Sequence, residues 1–161
     1  MKMNLAPIGV IHSPHQRADG TPIQAALATG VRGTVEVFPE YAVGLRDLDG
    51  FERIWLVYWF DRAKPAELVV TPYLDATPRG LFATRAPCRP NPIGLSAVRL
   101  LRILGSVLQV EGLDILDNTP LLGIKPYIPA FDAFEAKRIG WCGNAKGGSV
   151  AADGRFATGE A

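Results

Sequence analysis

Two stretches of this chain hold side chains whose types and spacing could do chemistry. The first is "ATRAPCRPNPIGLS" at 83–96, where Arg85, Arg89 and Asn91 are interleaved with Pro87, Pro90 and Pro92. Proline fixes its own φ and pushes the residue before it out of the helical region, so Ala86, Arg89 and Asn91 are held extended. A loop ordered in advance spares a ligand the cost of ordering it, roughly 1–2 kcal/mol of backbone entropy per residue. The guanidinium groups of Arg85 and Arg89 are planar forks that match carboxylates, and Asn91 offers both a donor and an acceptor. The same residues also suit a proline-stiffened connection between strands with its arginines in water.

The second stretch is "GLDILDNTPLLGIKPYIP" at 112–129, in which Asp114 and Asp117 flank Ile115 and Leu116 just before an Asn118-Thr119-Pro120 turn. Paired acceptors beside a turn suit ribose hydroxyls or an ammonium group; they also suit capping of the turn itself. A hydrolase using the two carboxylates as acid and base would need a substrate-sized cleft between them, which nothing else in the sequence supports. Gln24, in the Pro-led loop "TPIQA", could read an adenine edge or face water. His12 and His15 stand three apart in "IHSPH", a spacing that favours a surface turn over a metal site, and no metal is expected. Cys88 and Cys142 form no CxxC pair and are expected to be free thiols. Glycine-rich nucleotide loops of the G-x-G-x-x-G and G-x-x-x-x-G-K-[ST] types are absent, which disfavours a Rossmann or P-loop site.

These residues need elements to position them, and the signals are mostly those of strands. "GVRGTVEVF" puts Val31, Gly33, Val35 and Val37 on one face and Arg32, Thr34 and Glu36 on the other, the period of a half-buried strand. "ERIWLVYWF" at 52–60 is apolar without alternation and predicts a central strand covered on both faces. Further strands are predicted at 7–12, 66–74, 80–85, 95–104 and 107–114, and one short helix within 39–50. Seven or so strands between Gly/Pro-rich turns argue for a mainly β fold, an antiparallel barrel or sandwich.

At 161 residues the chain fits one domain, and no apolar run approaches the ~18 residues that span a bilayer. The N-terminus lacks the long apolar segment of a signal peptide, so a cytoplasmic protein is expected. The formal net charge is only +1, yet from Ala76 to Val110 there are five arginines and no acidic residue. That is either a local basic surface for phosphates or carboxylates, or a solvated strand face. Beyond Trp141 the sequence turns Gly- and Ala-rich, and residues 144–161 are read as a flexible or loosely docked tail on a domain spanning 1–143.

"IGVIHSP", "LRDLDGFERIWLVYWF", "GLFATRAPCRPNPIGLS" and "LDILDNTPLLGIKPYIP" resemble, in order and spacing, the TsaA-like family that includes the bacterial tRNA methyltransferase TrmO. The likeness runs from about Ile8 to Pro129. It implies a single antiparallel β-barrel domain with a few short helices that uses S-adenosyl-L-methionine, works as a homodimer and methylates the exocyclic amine of threonylcarbamoyl-adenosine beside the anticodon of tRNA. Carried over by position, the cofactor contacts fall on Ile23, Gln24, Asp61, Arg62, Arg85, Leu95, Asp114, Ile115, Leu116 and Asp117. Transfer from a sulfonium mainly needs alignment, with an acceptor for the amine protons; Asn91 and its neighbour Arg89 are the catalytic candidates. The chain departs from the family pattern at Asp61, where His is common, and at Asn118, where Gly is. The longer bacterial members carry an additional C-terminal domain, so the alternative is a binding module or small-molecule methyltransferase without tRNA recognition.

Overall fold

The computed structural model describes residues 3–144 and 149–158. Six strands close into one antiparallel barrel: β1 (Gly9–His12), β2 (Arg32–Val37), β3 (Arg53–Trp59), β6 (Ile93–Leu104), β7 (Val107–Glu111) and β8 (Thr119–Pro126), in the order β1-β2-β7-β6-β3-β8. Two short strands, β4 (Val69–Val70) and β5 (Arg79–Gly80), pair with each other outside it. The fold expected from sequence is the one observed.

Alternation fills the barrel. Val35 and Val37 of β2, Ile54, Leu56 and Tyr58 of β3, Val98 and Leu100 of β6, and Leu108 and Val110 of β7 all point into one cluster, joined by Ile11, Leu113, Ile115 and Leu121. Gly33 and Gly9 sit where strands press together: a Cβ on Gly33 would come within 2.2 Å of the His12 carbonyl oxygen, and one on Gly9 within 2.1 Å of that of Glu36.

Several expectations change. β3 is not covered on both faces: Ile54, Leu56 and Tyr58 are buried, whereas Trp55 and Val57 are half-buried and Trp59 is exposed on the outer face. Trp55 is apolar surface that the chain covers in part, its ring 5.5 Å from that of Tyr127 and its indole N–H donating to Asp132 Oδ2. The strand expected at 66–74 shrinks to Val69–Val70, and that at 80–85 becomes β5 followed by a 3-10 turn, Leu81–Ala83. The helix expected within 39–50 is two 3-10 segments, Pro39–Leu45 and Leu48–Gly50, separated by Asp47 in the left-handed region at φ 65°. Strand β8 (Thr119–Pro126) is an element the sequence does not predict: it begins inside the expected Asn118-Thr119-Pro120 turn, of which Asn118 keeps the turn conformation.

A second, smaller cluster forms beside the barrel from Val70, Leu81, Ala86, Cys88 and Phe156, with Tyr73 against it. Phe156 belongs to the stretch expected to be a flexible or loosely docked tail. Residues 149–158 are docked, because a buried aromatic and a series of backbone hydrogen bonds hold them. Residues 145–148 and 159–161 of that stretch lie outside the described residues. Among the described residues both cysteines are free thiols, and no helix is long and apolar enough to cross a membrane.

Candidate functional site

Strand register carries the chemistry-bearing segments to one rim of the barrel. β3 ends there at Trp59 and β6 begins there at Ile93, its register partner; β8 begins there at Thr119, opposite Ile11 of β1. Two long connections arch from this rim, 13–31 between β1 and β2 and 60–92 between β3 and β6. The Phe60 N–H donates to the Pro92 carbonyl at 2.7 Å and stitches the end of β3 to the proline loop. Within that loop Arg89 N–H reaches Pro87 O and Ile93 N–H reaches Asn91 O, each at 2.8 Å. These three-residue turns are what alternating prolines permit, because each bonded donor belongs to a non-proline residue.

Deepest at the rim is a polar relay that no sequence motif announced. Ser96 Oγ donates to Asp114 Oδ1 at 2.7 Å and lies 3.0 Å from the Tyr58 hydroxyl. With the serine proton committed to the carboxylate, the tyrosine is the donor to Ser96. Gly94 makes room for this, since a Cβ there would fall 2.2 Å from the Tyr58 ring. Burial pushes the Asp114 carboxyl above the ordinary carboxylate range, although the Ser96 hydroxyl and backbone N–H groups of Asp114 and Ala25 oppose it. Burial also raises the Tyr58 phenol, helped by the charge of Asp114, so it stays protonated.

Asp117, three residues on, has the opposite environment. Partial burial acts to raise its pKa, but Ser13 N–H, Gln16 Nε2 and Asn118 donate to it and His12 lies 3.6 Å away; together these hold it below the ordinary range. Arg62 braces the same turn. Its Nη2 donates to the Asp117 carbonyl at 2.7 Å and to Thr119 Oγ1 at 2.9 Å, while its Nε meets Asp61 Oδ1 at 3.3 Å. Asn118 occupies the left-handed region at φ 60°, the conformation Asn tolerates, so the departure from Gly leaves the turn intact.

The two connections meet where Arg85 Nη1 donates to Gln24 Oε1; Gln24 Nε2 in turn donates to the Ile23 carbonyl at 2.6 Å. The structure thus joins Ile23, Gln24 and Arg85 in one group, and Asp61, Arg62 and Asp117 in another. Asp114 is tied to the first group through the N–H of Ala25, the neighbour of Gln24, and bonds Ser96, the neighbour of Leu95. Ile115 is buried in the barrel core rather than at the surface, and Leu116 is half-buried, its carbonyl accepting from Thr119 Oγ1. Leu95 is 60% exposed on the outer face.

Arg89 and Asn91 stand apart, bonded to none of the other site residues among those described. Arg89 Nη1 donates to Thr84 O at 3.1 Å and Ala86 O at 3.4 Å, and its guanidinium carbon lies 5.7 Å from the centre of the exposed Phe82 ring. Asn91 is exposed. A concavity of about 250 Å³ lies at the opposite rim between Leu45, Phe51 and Ile124; another, of about 100 Å³, touches Ala25 beside Gln24. Tyr58, Ser96 and Thr119 escaped the sequence reading because each sits within a strand, where a polar side chain facing inward looks like any other alternating position.

A closed six-stranded antiparallel barrel, with a polar rim built by its two longest connections, defines a class of β-barrel protein unrelated to dinucleotide-binding sheets. More narrowly, the chain belongs to the family of the tRNA-methyltransferase O N-terminal domain, which matches residues 10–133. It is 55% identical over 135 residues to a probable S-adenosyl-L-methionine-binding protein of Pyrococcus abyssi, covering 84% of this chain and 73% of that one. With the tRNA (adenine(37)-N6)-methyltransferase of Escherichia coli it shares 35% identity over 132 residues, covering 76% of this chain and 56% of the relative. A crystal structure of TrmO from Pseudomonas aeruginosa superposes with a TM-score of 0.73 at 37% identity, covering 87% of this chain and 62% of that one.

Proposed function

We propose that this chain binds S-adenosyl-L-methionine at the rim and directs its methyl group to the exocyclic amine of threonylcarbamoyl-adenosine in tRNA. The observation that carries the reading is the convergence of Ile23, Gln24, Arg62, Arg85 and the 114–117 segment, far apart in sequence, on one rim within a family whose relatives are named for this cofactor. The donor set suits the molecule. Arg85 and Gln24 offer donors for a carboxylate or an adenine edge, while Asp61, Asp114 and the carbonyls of the 114–117 turn offer acceptors for ribose hydroxyls or an ammonium. When bound, the cofactor supplies a methyl group on a positively charged sulfur.

The residues of the chain orient rather than activate. The proline loop keeps its carbonyls fixed beside the rim, and Asn91 gives an acceptor for the amine protons of the incoming base. Arg89, already steadied by two loop carbonyls, retains further N–H groups for the carboxylate of the threonylcarbamoyl group. Trp59, Ile93 and Leu95 form an exposed apolar strip on the outer face of paired strands β3 and β6, which supports a homodimer meeting there.

Calorimetry with S-adenosyl-L-methionine, followed by methyl transfer to tRNA carrying threonylcarbamoyl-adenosine, tests the reading; absence of cofactor binding overturns it. Asn91→Ala is expected to slow transfer with cofactor affinity intact. Relatives named only as S-adenosyl-L-methionine-binding proteins, such as that of Pyrococcus abyssi, favour a second reading, a binding module without tRNA recognition. Cofactor binding with no tRNA binding at low salt would select it.

A further inference from the structure

Residues 149–158 lie beyond the 10–133 match to the family, yet they bond to both of the long connections that build the candidate site. Toward the first connection, Gly20 N–H donates to Ala152 O at 2.9 Å, Ala152 N–H to Thr21 O at 2.8 Å and Ile23 N–H to Val150 O at 3.1 Å, with Pro22 and Ala151 bridged. Toward the second, Lys64 N–H donates to Phe156 O at 2.9 Å and Thr158 N–H to Arg62 O at 2.8 Å, with Ala63 and Ala157 bridged. Between these two sets of bonds, Phe156 is 7% exposed, packed edge-on against Tyr73 and among Val70, Leu81, Ala86 and Cys88. Ala86 and Cys88 flank Pro87 of the proline loop.

One short segment therefore fastens the Ile23–Gln24 wall, the Asp61–Arg62 wall and the root of the Arg85–Asn91 loop. Neither connection, 13–31 or 60–92, is part of the barrel ladder, and connections of that length have no fixed spacing of their own. Among the described residues, Arg85 and Gln24 join them directly at the site by one bond of two exposed side chains, and both connections also reach the 114–119 segment, through Ser13, Gln16 and Ala25 on one side and Arg62 on the other. The backbone bonds to 149–158 fasten each connection at a second place.

We propose that residues 149–158 act as a positioning strap, with Phe156 as its anchor, that sets the distance between the two halves of the cofactor site. The proposal rests on the reading of the rim as a methyl-donor site. Phe156 touches no reacting atom; it acts through Ile23 and Arg62. Releasing the strap leaves the barrel closed but lets the two connections drift apart, so the binding-competent arrangement becomes a minor state and apparent affinity falls by its fractional population.

The test uses the full chain with three substitutions. Phe156→Ala removes the anchor, Ala152→Pro removes the N–H that reaches Thr21, and Phe156→Leu keeps an apolar anchor. Calorimetry with S-adenosyl-L-methionine should show affinity about tenfold weaker or more for the first two, as for a site populated a tenth of the time or less, and near wild type for Phe156→Leu. The Michaelis constant for the cofactor should rise while kcat at saturation is retained. Amide exchange should quicken at 20–24 and 62–92 with the barrel strands still protected. Unchanged affinity in both weakened variants, a fall in kcat at constant Michaelis constant, or loss of protection in the barrel itself would overturn the strap. Failure of the wild-type chain to bind the cofactor would instead overturn the reading on which it rests.

Discussion

The barrel and the lobe beside it are built by different rules. In the barrel, eleven of fourteen buried residues come from strands whose alternation dictates which side chains point inward, with Leu48, Leu113 and Ile115 added from connections, and neighbouring strands supply the hydrogen bonds. In the lobe, five buried residues among those described come from loops, a two-residue strand and the 149–158 segment, and among the described residues there is no ladder beyond β4 and β5. The first region is cooperative because removing any strand opens a closed ring. The second is an assembly of separate segments that meet on one aromatic ring. A site made at the seam of the two inherits its framework from one and its spacing from the other.

A pair of leucines separates these roles most forcefully. Leu56 is fully buried in the barrel and Leu81 almost fully in the lobe, so deletion to alanine removes the same atoms from each. Leu56→Ala should cost about 2–5 kcal/mol of global stability, read from the denaturant midpoint of the whole chain. Leu81→Ala should shift that midpoint less, because the lobe can open while the barrel stays folded, and should instead weaken cofactor binding. Equal losses of global stability would erase the distinction.

Smaller effects lie along the seam. Tyr58→Phe removes the donor to Ser96 and should lower stability by about 1 kcal/mol, measured by urea unfolding. Smallest is the acid response of Asp114. Because burial raises its folded pKa, the folded state binds the proton more tightly than the unfolded chain, so this group's contribution to stability falls as pH rises from near 3.8 through the raised value and is level above it. Asp114→Asn should abolish that descent. Asp117→Asn should do the reverse: its lowered folded pKa contributes stability that is present above the ordinary carboxylate value and lost as pH falls through the folded one. Unfolding midpoints collected across acid pH would show both slopes.

What the sequence made legible follows the same division. The period-two pattern of 31–37 and 95–104 exposed two barrel strands almost at their observed limits, since half-buried strands write their burial into residue type. β8 was hidden by Pro120 and Pro126, which ordinarily argue against an interior strand. Its register resolves the conflict: Pro120 pairs with β1 and Pro126 with β3, so each proline has a ladder neighbour on one side only. In the site, Gln24, Arg85, Arg89, Asn91, Asp114 and Asp117 could be singled out by type and loop context, whereas Ile23, Asp61, Arg62, Leu95, Ile115 and Leu116 came from family likeness. The docking of Phe156 could not be read, because a lone aromatic in a Gly-rich stretch has no period, and its partners are non-local.

Closure of the barrel has a last consequence. With β8 paired to β1 over Thr119–Leu121 and to β3 over Leu121–Pro126, none of the six main strands leaves one edge unpaired along its whole length. A peptide or another copy therefore finds no full-length edge from which to extend the main sheet. Association with this ring rests chiefly on side chains, so its choice of company can change by substitution on the outer wall while the ring's own architecture is left as it is.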